Sequence, residues 1–85
     1  MNQNDIKMLL TYADKELVYG VLDKVNLTEQ ELIVLCMVDM QGLTYEQACE
    51  KLNCSISTIY RKRQKGLNKI MTCYKDKDIK ELIRN

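Results

Sequence analysis

Histidine is absent, and its absence removes most familiar routes to catalysis and metal binding. No Ser–His or Cys–His pair can form, and no glycine-rich phosphate loop is present. The carboxylates read as solvated helix faces and caps, so an enzyme is the class these residues support least. The cysteines, at positions 36, 49, 54 and 73, include no CxxC pair. Without closely spaced ligands, no zinc site and no cofactor is expected. Each cysteine falls on an apolar periodic position, so all four are expected to be small buried hydrophobes, reduced and unpaired. Proline is absent and glycine occurs three times, which suits a compact all-helical chain. Nothing resembles a signal peptide. The apolar stretch from Leu32 to Val38 is too short to span a bilayer and ends at Asp39. A soluble cytoplasmic chain without a membrane partner is the expectation.

Acids are missing from one stretch in particular. Between Lys51 and Lys75 there are seven basic residues and no acid, a net charge of +7. Residues 1–50 carry nine acids against three lysines, net −6, and residues 76–85 balance. The formal +1 therefore conceals a polarised molecule, a common footprint of polyanion binding. An 85-residue chain buries a marginal core, so a homodimer or a larger partner complex fits its size.

Helical spacing and capping signals divide the chain into four or five helices. Residues 1–26 predict one helix from Asn4 to Lys24, with Ile6, Leu9, Leu10, Ala13, Leu17 and Val21 in a single stripe. Leu22 and Val25 belong to its last turn or the exit loop. Residues 27–75 hold the main domain. Thr28 and Glu31 make a capping box for a second helix that ends near Met40, with Gly42 in the left-handed position. Its body is apolar all round and has to be covered on several sides, by the first helix or by a second subunit. Thr44 and Gln47 open a third helix that buries Ala48 and Leu52, with Cys49 at a close helix approach. Asn53, Cys54 and Ser55 form a turn, and Ser55 caps a fourth helix running to about Tyr74. Ile59, Arg63, Gly66, Leu67, Ile70 and Tyr74 share one face of it, while Ser57, Arg61, Gln64 and Asn68 share the opposite one. Residues 76–85 form a short helix or tail, capped by Asp76 or Asp78 and containing Ile79, Leu82 and Ile83. A short helix pair with one cationic face is the arrangement that places a helix in a DNA groove.

From Leu27 to Ile70 the chain resembles region 4 of bacterial sigma factors. Leu27, Thr28, Glu29, Val34, Leu35, Gly42, Thr44, Tyr45, Glu46, Cys49, Ser55, Thr58, Ile59, Arg61 and Arg63 carry the likeness. LuxR-type domains share much of this pattern but usually place a histidine after the Thr-Val step. The run from Ile59 to Arg63, followed by Gly66 and Leu67, is also similar to small phage activators of the ArpU and RinA type. The resemblance implies a helix-turn-helix regulator of transcription that binds double-stranded DNA and touches RNA polymerase, with a phage or mobile-element source. Two departures stand out. Region 2, which opens promoter DNA in complete sigma factors, has no counterpart in these residues. Ile56 and Ser57 stand where primary sigma factors carry charged base-contacting residues, so the consensus −35 element is not the expected target.

Within that frame, Arg61 is the candidate base reader, with a phosphate contact as its alternative. Lys62, Arg63, Lys65 and Lys69 are candidate phosphate binders, and Arg63 is expected to pack its stem and lift its head into solvent. Tyr60 stacks on sugar, meets a thymine methyl, or braces the helix pair. Ser55, Ile56, Ser57, Thr58 and Gln64 complete the candidate DNA-binding set. Thr44 and Tyr45 reach a phosphate from the start of the third helix. The rival readings are a protein-interaction module with weak DNA affinity and a small DNA-packaging subunit.

Overall fold

The computed structural model describes residues 1–83, apart from the side chains of Ile79 and Ile83. Those two expected apolar contacts, and the last two residues of the expected C-terminal segment, lie outside the described residues. Six α-helices follow one another: α1 (Gln3–Tyr12), α2 (Lys15–Asp23), α3 (Glu29–Leu35), α4 (Tyr45–Leu52), α5 (Ile56–Cys73) and α6 (Ile79–Ile83). The all-α class holds. None of the described helices is long and apolar enough to cross a membrane.

The N-terminal segment corrects the expectation of one helix capped by Asn4. Asn2 is the cap, because its partner three residues on is Asp5. The Asn2 side chain accepts the Asp5 amide at 2.8 Å, and Asp5 accepts the Asn2 amide in return. Asn4 has Lys7 at that spacing and no reciprocal acceptor. The helix then breaks at Ala13 and Asp14, both with extended ψ angles of 161° and 138°. A straight helix would turn Ile6, Leu9 and Leu10 about a third of a turn away from Val18, Val21 and Leu22. The break lets both sets face one core, where all six are buried. Val18, outside the expected stripe, is fully buried, and Leu22 and Val25 are core residues as well.

Thr28 and Glu31 form the expected capping box of α3, with bonds of 3.1 and 2.9 Å. Beyond Leu35 the helix widens into a π-helical turn over Cys36–Met40, closed by the Gln41 amide on the Cys36 carbonyl at 2.9 Å. Gly42 follows with φ +76°. The extra residue in the turn rotates Asp39 inward, where it is 6% exposed.

Two apolar clusters result. The larger joins α1 and α2 to Leu35 of α3 and to Leu67, Ile70 and Tyr74 of α5. The smaller consists of Val34, Ala48 and Ile59, between α3, α4 and α5. α3 and α5 approach closely at Gly66, where a Cβ would lie 2.9 Å from Leu35 Cδ1. Cys49 packs against the smaller cluster but is only half-buried, as are Cys36 and Cys54, and Cys73 is exposed. That corrects the expectation of four buried thiols: neither apolar cluster has a cysteine among its buried residues. Tyr74 closes the larger core, its hydroxyl donating to the Val21 carbonyl at 2.8 Å. Asp78 accepts the Lys80 amide at the start of α6.

Candidate nucleic-acid interface

α4 and α5 meet at a turn built by three local choices. Asn53 takes the left-handed conformation, with φ 53°. Its amide and that of Cys54 both reach the Cys49 carbonyl, ending α4. Ser55 then caps α5 by accepting the Thr58 amide at 3.2 Å, and its hydroxyl pairs with that of Thr58 at 3.0 Å. At the other end of α4, Thr44 and Gln47 form a reciprocal box, and the exposed Thr44 hydroxyl keeps its proton free to donate.

The first two turns of α5 stand clear of the body. Ser55, Ile56, Ser57, Tyr60, Arg61 and Lys65 are exposed, while Thr58 and Lys62 are half-buried. Among the described residues the ion pairs are Arg63–Asp39 and Lys69–Glu31, so Arg61, Lys62 and Lys65 take part in neither. Together with Thr44 at the start of α4, these residues offer hydroxyl, apolar and cationic groups to one partner.

Several expected members of the face are occupied elsewhere. Arg63 does not lift its head into solvent. Its guanidinium forks onto Asp39, Nε to Oδ2 at 2.9 Å and Nη2 to Oδ1 at 2.6 Å, and Nη1 donates to the Tyr45 hydroxyl at 3.2 Å. The Asp39 hydrogen bonds raise the Arg63 pKa against the opposing effect of burial, so the guanidinium stays charged. The physical reason is position: Arg63 lies on the buried stripe of α5, and a carboxylate rotated inward by the π-helical turn meets it there. Tyr45 is therefore an internal bridge, its half-buried ring edge-on to Tyr60 with centroids 6.4 Å apart.

Lys69 is also withdrawn. Its Nζ sits 2.8 Å from Glu31 Oε1 and 3.3 Å from the Asn26 carbonyl. Burial pushes the Glu31 carboxyl up, but the Lys69 ammonium and the Thr28 hydrogen bonds outweigh it and hold the group below its ordinary value. Gln64 is covered by α1, accepting from Gln3 Nε2 at 3.0 Å. Asp39 and Gln3 are the residues that sequence reasoning missed. Asp39 had a usable signal: Arg63 is the one charge on an apolar stripe and needs a buried partner. Gln3 had none, because its contact is 61 residues distant.

Residues 25–70, more than half of the chain, match the family model described as Sigma-70, region 4. No curated protein and no solved structure matches.

Proposed function

Because the chain belongs to the Sigma-70 region 4 family, we propose that it is a sequence-specific, DNA-binding transcription regulator acting through α4 and α5. One observation carries this reading. The N-terminal end of α5 is exposed, ringed by Arg61, Lys62 and Lys65, and lies in a stretch with no acid from Lys51 to Lys75. That end enters the major groove. Arg61 pairs with a guanine edge, and Lys62, Lys65 and the Thr44 hydroxyl hold phosphates on either side. Binding is an equilibrium event in the cytoplasm without cofactor or covalent step. Likeness to small phage activators supports a phage or mobile-element source.

Selection of bound duplexes from a random pool tests the proposal. A recovered motif supports it, and a palindromic motif adds a homodimer. Recovery of no motif, with affinity equal on all duplexes, overturns sequence-specific regulation.

A second contact, to RNA polymerase, is favoured by a separate feature. A hollow of about 270 Å³ is lined by Tyr19, Leu22, Val25, Leu27 and Leu32, with Asp23 as its one charged residue. Tyr19 and Leu32 are exposed there, an apolar surface suited to a protein partner. Leu32→Asp should abolish retention on polymerase while leaving DNA affinity intact. Equal retention of the variant and the unaltered chain removes this contact.

A further inference from the structure

Two large apolar side chains stand in water at the tip of α5. Ile56, its first residue, is 48% exposed, and Tyr60, one turn on, is 52% exposed. Positions four apart are stacked neighbours on a helix, so the two make one ridge. The other large aliphatic residues of the same helix, Ile59, Leu67 and Ile70, are fully buried.

The ridge is braced from below. Tyr60 meets Tyr45 edge-to-face at an interplanar angle of 69°. Tyr45 is tied through its hydroxyl to Arg63, and Arg63 is clasped by Asp39. Four side chains thus connect the π-helical turn to the exposed ring of Tyr60. Support of this kind sets a recognition side chain before its partner arrives.

We propose that Ile56 and Tyr60 are specificity-determining residues that read the C5-methyl groups of thymine in the major groove. This inference rests on the DNA-binding reading and deepens it. The thymine methyl is the one bulky apolar group on the major-groove edges, which otherwise present hydrogen-bond donors and acceptors and the small C5–H of cytosine. An isoleucine set against those groups would leave them unsatisfied. The cations on the same stretch of helix, Arg61, Lys62 and Lys65, favour a polyanion as the occupant. RNA is disfavoured twice, since its major groove is too narrow to read and uracil lacks the methyl. The preferred site is therefore a B-form duplex with thymine beside the guanine read by Arg61.

The test uses the full chain and the duplex recovered by selection, with deoxyuridine replacing thymine at one position at a time. That substitution removes the methyl and keeps the base pair. Affinity should fall about fourfold at each of one or two positions and stay constant elsewhere. Ile56→Ala should erase the loss at one position and Tyr60→Ala at another. Melting should be unchanged in the first and only slightly lowered in the second, which loses the Tyr45 contact. Arg61→Ala should weaken binding yet keep the thymine-to-deoxyuridine ratio. A chain indifferent to every replacement, or a ratio that persists in both the Ile56 and Tyr60 variants, overturns the methyl reading and leaves DNA binding standing. Failure to bind any duplex overturns DNA binding, and the methyl reading falls with it.

Discussion

The two halves of α5 have similar composition and opposite uses. Toward the N-terminus, Arg61, Lys62 and Lys65 take part in no ion pair among the described residues. Toward the C-terminus, Lys69 is bound to Glu31, while Arg63, placed between Lys62 and Lys65, is turned under the helix to Asp39. Both acids come from the acidic half of the chain. That half therefore does more than polarise the molecule: it withdraws two cations from the surface and leaves a compact basic tip. A count of lysines and arginines overstates the interface, because helical phase and the neighbouring helices decide which charges remain available.

Removing the sheath should have the largest effect. Deleting residues 1–24 strips Ile6, Leu9, Leu10, Val18, Val21 and Leu22 from the larger core. The core residues left uncovered, Leu35, Leu67 and Ile70 among them, each forfeit ~1.5–3 kcal/mol on return to water, together comparable to the ~5–15 kcal/mol margin of a typical domain. The fragment should lose cooperative melting, as followed by circular dichroism, although α4 and α5 are intact in sequence. A fragment melting like the full chain would show that the two halves of α5 do not depend on this cover.

Asp39→Ala should come next. It leaves Arg63 buried without its partner, a change that typically costs ~3–5 kcal/mol in denaturant unfolding. Replacing both Asp39 and Arg63 by leucine should restore most of the stability. If the single variant is as stable as the parent, the pair does not hold α5 in place.

The third contrast is between cations on the same helix. Arg61→Ala should lose ~1–3 kcal/mol on the best site and little on random DNA. Lys69→Ala should leave both affinities unchanged. With Lys62 and Lys65 engaging phosphates, the slope of log K against log salt should be about −2 per protomer, against about −3.6 if Arg63 and Lys69 also took part. Titrations at several salt concentrations read both outcomes.

The smallest effect concerns Glu31. Its pKa is depressed in the folded chain, so the unfolded chain takes up the proton first as pH falls. The stability it contributes is complete above its ordinary value of 4.5 and declines as pH drops through the folded value. Lys69 is partly exposed, so the contribution should be no more than about 1 kcal/mol. Glu31→Gln should flatten the acid limb of the stability curve by that amount. An unchanged acid limb would mean that Lys69 is held by packing alone.

What was legible in the sequence was local. The caps at Thr28, Thr44 and Ser55 each depend on a residue three positions on, and each forms as read. The left-handed Gly42 and the buried face of α5 follow from spacing in the same way. The break at Ala13 and Asp14 was hidden, because neither residue forbids a helix and the reason for it lies in where two stripes have to point. The π-helical turn was hidden for a similar cause: Cys36–Met40 is ordinary helical sequence, and its register changes in the company of α1 and α5. The misplacements of Arg63, Gln64 and Lys69 all follow, since each is claimed by a residue at least 24 positions away.

The unequal clusters imply unequal cooperative folding units. α4 is held by the smaller cluster, Val34, Ala48 and Ile59 with partly buried neighbours such as Cys49 and Leu52, whereas α1, α2 and the rest of α5 share the larger core. Local opening should therefore begin at α4, without unfolding the remainder. Its amide hydrogens should exchange with solvent deuterium ahead of those of α1 and of α5 beyond Gly66. A bound duplex spanning Thr44 and Arg61 would close that opening and slow α4 exchange most. The element with the least internal support would then gain the most protection from the ligand.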